Sequence, residues 1–118
     1  MKVIPSTILP LPGFLAINLF GFVFVRKEHL HRFTEVTKNH EAIHTAQMKE
    51  LLYIPFYIIY GIEWLMKALF IKGKGRQKGK SAYKRLSFEE EAYHYQRDLD
   101  YLKHRKRFAM WRRDYSVI

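Results

Sequence analysis

Apolar and polar positions alternate in blocks along this chain, and each block predicts a different element. Residues 11–25 run Leu-Pro-Gly-Phe-Leu-Ala-Ile-Asn-Leu-Phe-Gly-Phe-Val-Phe-Val. Their Phe and Val content, with Gly21 in the middle, predicts two short strands over 16–20 and 22–25. Before them, residues 1–12 are apolar, but Pro5, Pro10 and Pro12 prevent a regular helix. The run superficially resembles a signal peptide. However, only Lys2 precedes it, and Arg26-Lys27-Glu28 follows where a small-residue cleavage site belongs, so the segment is expected to be retained.

After a polar stretch that contains His29 and His31, a helix is expected to open at Thr37, a good N-cap. It should continue through Met48 and Leu51 into a long apolar part ending near residue 71, kinked at Pro55. From 51 to 71 only Glu63 and Lys67 are charged, and their spacing lets them pair on one helix face. Residues 72–85, half of them Lys or Arg, read as a flexible basic linker. A last helix, spanning 86–110, opens at Ser87, where Ser87-Phe88-Glu89-Glu90 fits a capping box. Advancing about 100° per residue, Phe88, Ala92, Tyr95, Leu99 and Leu102 gather on one face. Glu89 and Glu91 flank that face and Glu90 lies opposite. The expected fold is therefore mainly α with a short N-terminal β-hairpin, one domain over residues 1–118. Its parts are strands and loop to 36, a metal-binding and apolar helix over 37–71, the basic linker and the C-terminal helix.

Composition narrows the chemistry. The 118 residues hold no cysteine, so any metal site must use His, carboxylate and water. A formal net charge of +10, concentrated in clusters, points to an anionic surface as partner. Basic residues directly after an apolar helix are the signature of the cytoplasmic side of a membrane. A nucleic-acid role ranks lower, because no base-stacking platforms surround the basic run. A chain this small cannot cover a helix that is apolar on nearly every side, so lipid or a second copy in a homodimer should cover part of it.

The candidate chemistry sits in His40-Glu41-Ala42-Ile43-His44. Residues four apart share a helix face, so His40 and His44 can offer two imidazole nitrogens to one metal. In zinc hydrolases with this spacing the intervening Glu does not bind; it acts as general base toward the attacking water. An inward-facing carboxylate, Glu89 or Glu91, is the candidate third ligand. His29 and His31 are expected at the surface.

His40-Glu41-Ala42-Ile43-His44, followed by Glu89-Glu90-Glu91-Ala92, resembles the gluzincin metallopeptidases, in which a Glu on a downstream helix completes a zinc site. Ala16-Ile17-Asn18-Leu19-Phe20-Gly21 and Phe88-Glu89-Glu90-Glu91-Ala92-Tyr93 also resemble stretches of small membrane-associated proteins of the Bacteroidota. The resemblance implies one zinc ion, with His40, His44 and Glu89 as ligands and Glu41 as base. Many gluzincins carry an Asp four residues after the ligand Glu, supporting a zinc-bound His; Tyr93 stands there in this chain.

Topology limits these readings. Were residues 51–71 to cross a bilayer, about 30 Å of hydrocarbon would separate the histidines from Glu89, and they could not share a metal. A kinked helix lying in the interface or packed in a dimer is therefore expected, with the linker folding Glu89 back. The function expected is a minimal, membrane-associated zinc metallopeptidase acting on a peptide or protein, with Tyr93, His94 or Tyr95 as candidate oxyanion donors. The alternative is a non-enzymatic membrane-surface or interaction protein, with a structural metal or none. A third reading pairs Glu41-Ala42-Ile43-His44 with Glu91-Ala92-Tyr93-His94, and Glu63, as a di-metal carboxylate site.

Overall fold

Phe20 and Gly21 take φ of 57° and 90°, the left-handed pair that closes a two-residue hairpin. They join strands β2 (Ala16–Leu19) and β3 (Phe22–Arg26) in a computed structural model that describes residues 1–10, 14–70 and 75–112, without the side chains of 75–78 and 80. The hairpin is the one the Phe and Val pattern predicts, with bounds shifted by a residue. The proline-rich start adds something the pattern does not suggest. Residues Lys2–Ser6 form β1, parallel to β3, giving the strand order β1-β3-β2. Pro5 is tolerated because β1 is an edge strand.

The metal-motif helix α1 spans Glu35–Glu50 and is capped by Thr34, whose side chain accepts from the Thr37 N–H. Thr37 is thus inside the helix and not its cap. The expected continuation into one long apolar helix also fails. α1 stops at Glu50 and α2 (Ile54–Phe70) starts after a 110° bend. Leu52 and Tyr53 make the corner with φ of 59° and 65°. The Tyr53 N–H bonds the Met48 carbonyl and the Leu52 N–H bonds that of Lys49, a Schellman closure. Pro55 is the second residue of α2, where a missing N–H costs nothing, so it begins a helix instead of kinking one. No single described helix is long and apolar enough to cross a membrane.

The basic stretch is not wholly a flexible linker: Gly75–Lys84 forms α3, which packs against α2, the Trp64 Nε1–H donating to the Gly79 carbonyl at 3.1 Å. Residues 72–74 of that stretch lie outside the described residues.

The expected C-terminal helix is broken into α4 (Ser87–Tyr95), α5 (Tyr101–His104) and a 3-10 turn at Ala109–Trp111. The capping box does not form. Leu86 is the N-cap residue, and the carboxylate of Glu63 on α2 accepts from Ser87 N–H (3.0 Å) and Oγ–H (2.7 Å) in its place. Glu63 also pairs with Lys67, as their spacing predicts. With the helix broken at Gln96, Leu99 and Leu102 never join the face of Phe88 and Ala92; both are exposed, as is Glu90.

One core cluster brings together Met48, Phe56, Phe88 and Met110; a second holds Ile43, Ala92 and Tyr101. α1 lies between β2 and α4. Its buried stripe, Asn39, His40, Ile43, His44, Gln47 and Met48, is mostly polar. Such a stripe is stable only if every polar group finds a partner. Asn39 does so by donating to the carbonyls of Gln96 and Asp98 at 2.9 Å, which fastens the end of α4 to the start of α1.

Candidate metal centre

The middle of α1 and the first turn of α4 face each other across the site. His40 and His44 stand one turn apart on α1, and Glu89 reaches them from α4. His40 Nε2 lies 3.2 Å from Glu89 Oε1, His44 Nε2 lies 3.1 Å from Glu89 Oε2, and the two Nε2 atoms are 3.1 Å apart. All three side chains are buried, between 3% and 6% exposed.

Both rings are fixed from behind. His44 Nδ1 lies 2.8 Å from Gln47 Oε1, and His40 Nδ1 lies 2.9 Å from Gln96 Oε1. Gln47 cannot be turned the other way, because its Nε2 is placed between two acceptors, the Phe88 carbonyl (3.0 Å) and Glu91 Oε1 (2.9 Å). Its oxygen must therefore face His44, and His44 Nδ1 must carry the proton. The Nε2 lone pair then points at His40 and Glu89.

The His44 Nε2 lone pair, the His40 Nε2 and the Glu89 carboxylate thus converge on one point, which a shared proton or a metal ion can fill. Their mutual distances approach the ~3.4 Å ligand–ligand edge of a tetrahedral site with ~2.1 Å bonds. The donor set of two imidazoles and a carboxylate suits a divalent transition metal. His40, His44 and Glu89 can hold a metal ion, and no other such His and carboxylate group occurs among the described residues.

The electrostatics agree with the geometry. Burial alone would lower the His44 pKa, but the Glu89 carboxylate beside it, helped by Glu41 and Gln47, raises it to about 9. Burial opposes the Glu89 charge, yet His44 and the hydrogen bonds from both imidazoles hold its carboxyl well below the usual range. Tyr60 of α2 donates to Glu89 Oε2 at 2.7 Å; burial and the Glu89 charge keep that phenol protonated.

Glu41 is half-buried beside this group. Burial pushes its carboxyl up, against the pull of His44 and His40, and the nearby Asn18 amide favours its charged form. Asn18, on edge strand β2, also donates to the Glu41 carbonyl (3.1 Å) and Thr45 Oγ1 (3.0 Å), so the strand and the motif helix are locked together. The Tyr57 hydroxyl takes up the Phe20 N–H and the Asn18 carbonyl at the hairpin end of that edge.

The remaining sequence candidates go elsewhere. Glu91, fully buried, points away from the histidines into a network with Arg105, the Tyr101 hydroxyl (2.6 Å) and Gln47; Arg105 also binds Glu50 at 2.9 Å. Glu91 therefore supports the site only through Gln47. Tyr93 packs its ring against His40 with centroids 4.6 Å apart. His94 is exposed against Tyr95, and Tyr95 stacks on Tyr101 at 3.9 Å, so neither faces the site. With Glu91 on Arg105, His94 outside and Glu63 on Ser87, the groups of the di-metal reading do not converge. His29 and His31 belong to the 3-10 turn Lys27–Arg32, apart from the metal group.

Sequence reasoning missed Gln47, Gln96, Asn18, Tyr60 and Tyr83. The Tyr83 phenol hydrogen-bonds Tyr93, and burial together with the charges of Glu89 and Glu41 pushes it up. Gln47 alone had a readable signal, its place one turn after His44 on the same helix face. Comparison with family models, curated proteins and solved structures finds no match to this chain.

Proposed function

We propose that this chain is a small metal-dependent hydrolase of peptide bonds, with zinc held by His40, His44 and Glu89. The observation that carries the reading is the approach of Glu89 to within 3.2 Å of both Nε2 atoms while Gln47 and Gln96 bind the opposite ring nitrogens. Three protein ligands, not four, favour a catalytic over a structural zinc site. When bound, zinc would polarise a carbonyl and make a nearby water more acidic.

The chain's own residues supply the rest. Glu41, raised by burial towards the range useful for a general base, takes the proton from the attacking water and delivers it to the leaving amine. The Tyr93 phenol, raised by burial and by the charges of Glu89 and Glu41, stays protonated and serves as donor to the carbonyl oxygen as it gains charge, with the Tyr83 phenol hydrogen-bonded behind it. The part of the β2 edge before the Asn18 carbonyl, which Tyr57 occupies, aligns an extended substrate beside α1. Gln96 and Gln47 are neutral partners for the imidazoles, which leaves the ligands less basic than carboxylate partners would.

The test is elemental mass spectrometry on protein purified without chelator, followed by assay on a quenched fluorescent peptide library. About one zinc per chain is expected, lost in Glu89→Ala. Glu41→Gln should keep the metal and lose about 10²–10⁴-fold in turnover. Metal-free wild type, or a metal-loaded Glu41→Gln with wild-type turnover, overturns the proposal.

A further inference from the structure

The apolar helix α2 is two-sided in a way its sequence conceals. Ile54, Ile58, Ile62, Leu65 and Leu69 are each more than half exposed, and at 100° per residue they fall within about 80° of arc. Gly61, with open space around its Cα, lies on the same side. The two charged residues of the helix, Glu63 and Lys67, lie opposite and are spent on the protein: Glu63 on Ser87, Lys67 on Glu63 and the Arg85 carbonyl. Tyr60, which holds Glu89, also faces inward. The outer face is left without a charge. At its start the hairpin adds the half-exposed ring of Phe20, packed on Tyr57 with centroids 5.2 Å apart.

A single-chain protein in water rarely exposes so continuous an apolar stripe. Charge identifies what covers it. Between residues 51 and 87 the only acidic side chain is Glu63, turned inward, whereas half of positions 72–85 are Lys or Arg, and α3 packs directly against α2. An apolar face on a helix that packs against so Lys- and Arg-rich a segment matches an anionic lipid surface. A second copy of the chain would bring two such cationic segments together, which repel.

We propose that the outer face of α2 docks on an anionic bilayer, with the helix lying in the plane of the interface and its Glu63 side facing the protein. A crossing helix is disfavoured because the Ser87 amide and the Arg85 carbonyl, both bonded to α2, would be drawn into hydrocarbon. This docking does not depend on the metal reading.

The experiment is co-sedimentation of the full chain with phosphatidylcholine vesicles, with and without phosphatidylglycerol. Binding should be at least about tenfold tighter to the anionic vesicles and should weaken as salt rises towards ~1 M. An Ile58→Asp/Leu65→Asp variant should bind at least about tenfold more weakly while keeping the wild-type circular dichroism, since both positions are exposed. Equal or absent binding to the two vesicles overturns the proposal. So does a wild-type dimer in sedimentation equilibrium that ignores vesicles and that the same double substitution makes monomeric.

Discussion

Gln47 Oε1 sits 2.8 Å from His44 Nδ1, and the other end of the same amide is held by Glu91 and the Phe88 carbonyl. α4 thus orients a histidine of α1 through one side chain. Gln47→Met, close in shape but unable to accept from an imidazole, should weaken metal binding about 10–100-fold in chelator competition. It should also cost about 1–3 kcal/mol in urea unfolding, because it strands buried acceptors. Unchanged affinity in a folded Gln47→Met protein would mean the ring is held without it.

The pH behaviour follows from His44. Its pKa rises from 6.5 to about 9 in the folded chain, so it binds its proton more tightly folded than unfolded. That contribution to stability is complete below about pH 6.5 and is lost as pH rises through about 9. In chelator the melting temperature should fall across this window. A metal ion competes with the same proton, so apparent metal affinity should climb by about tenfold per pH unit there. A flat melting temperature in chelator between pH 6.5 and 9 would show that His44 carries no such proton.

The His-Glu-x-x-His set was legible because two ligand candidates and the base candidate lie on five consecutive residues of one helix, where spacing alone fixes their relation. The third group was singled out only by the resemblance to the gluzincins, which names Glu89; spacing left Glu89 and Glu91 open. Glu89 and Glu91 both turn inward, since α4 is packed on two sides, towards the histidines and towards Arg105. No periodicity distinguishes one buried carboxylate from the other. The α1–α2 corner escaped for a different reason: it turns on Leu52 and Tyr53, neither Gly nor Asn, and Pro55, the one break signal, reads as a kink as readily as a helix start. Tyr83 was hidden in a stretch whose charge outweighed its helical pattern. The hairpin, by contrast, has a Gly at the second of its two positive-φ positions.

The Arg105 side chain is 6% exposed and bonds both Glu91, fully buried, and Glu50. Arg105 is the cation shared by two carboxylates, so Arg105→Met should cost about 3–5 kcal/mol in denaturant unfolding, whereas Glu91→Leu, which leaves Arg105 paired with Glu50, should cost less. The double variant should recover part of the Arg105→Met loss, because the fully buried Glu91 leaves with its partner while Glu50 keeps the Phe108 N–H. Additive losses in the double variant would show that the pair is not coupled. Metal affinity of the double variant should still drop relative to wild type, since Gln47 loses its Glu91 anchor while His40 and Glu89 remain.

Leu52 occupies the C′ position of the Schellman closure with φ of 59° and is 77% exposed. A left-handed residue with a Cβ is strained by roughly 1–2 kcal/mol relative to Gly, and so exposed a side chain contributes little packing in return. The added freedom of Gly in the unfolded chain offsets part of the gain. Leu52→Gly should therefore stabilise the protein by about 0.5–1 kcal/mol in urea unfolding. Leu52→Val, β-branched at the same φ, should destabilise it. A loss of stability in Leu52→Gly would mean that Leu52 is covered in solution, and that the apolar face of α2 extends back over the corner.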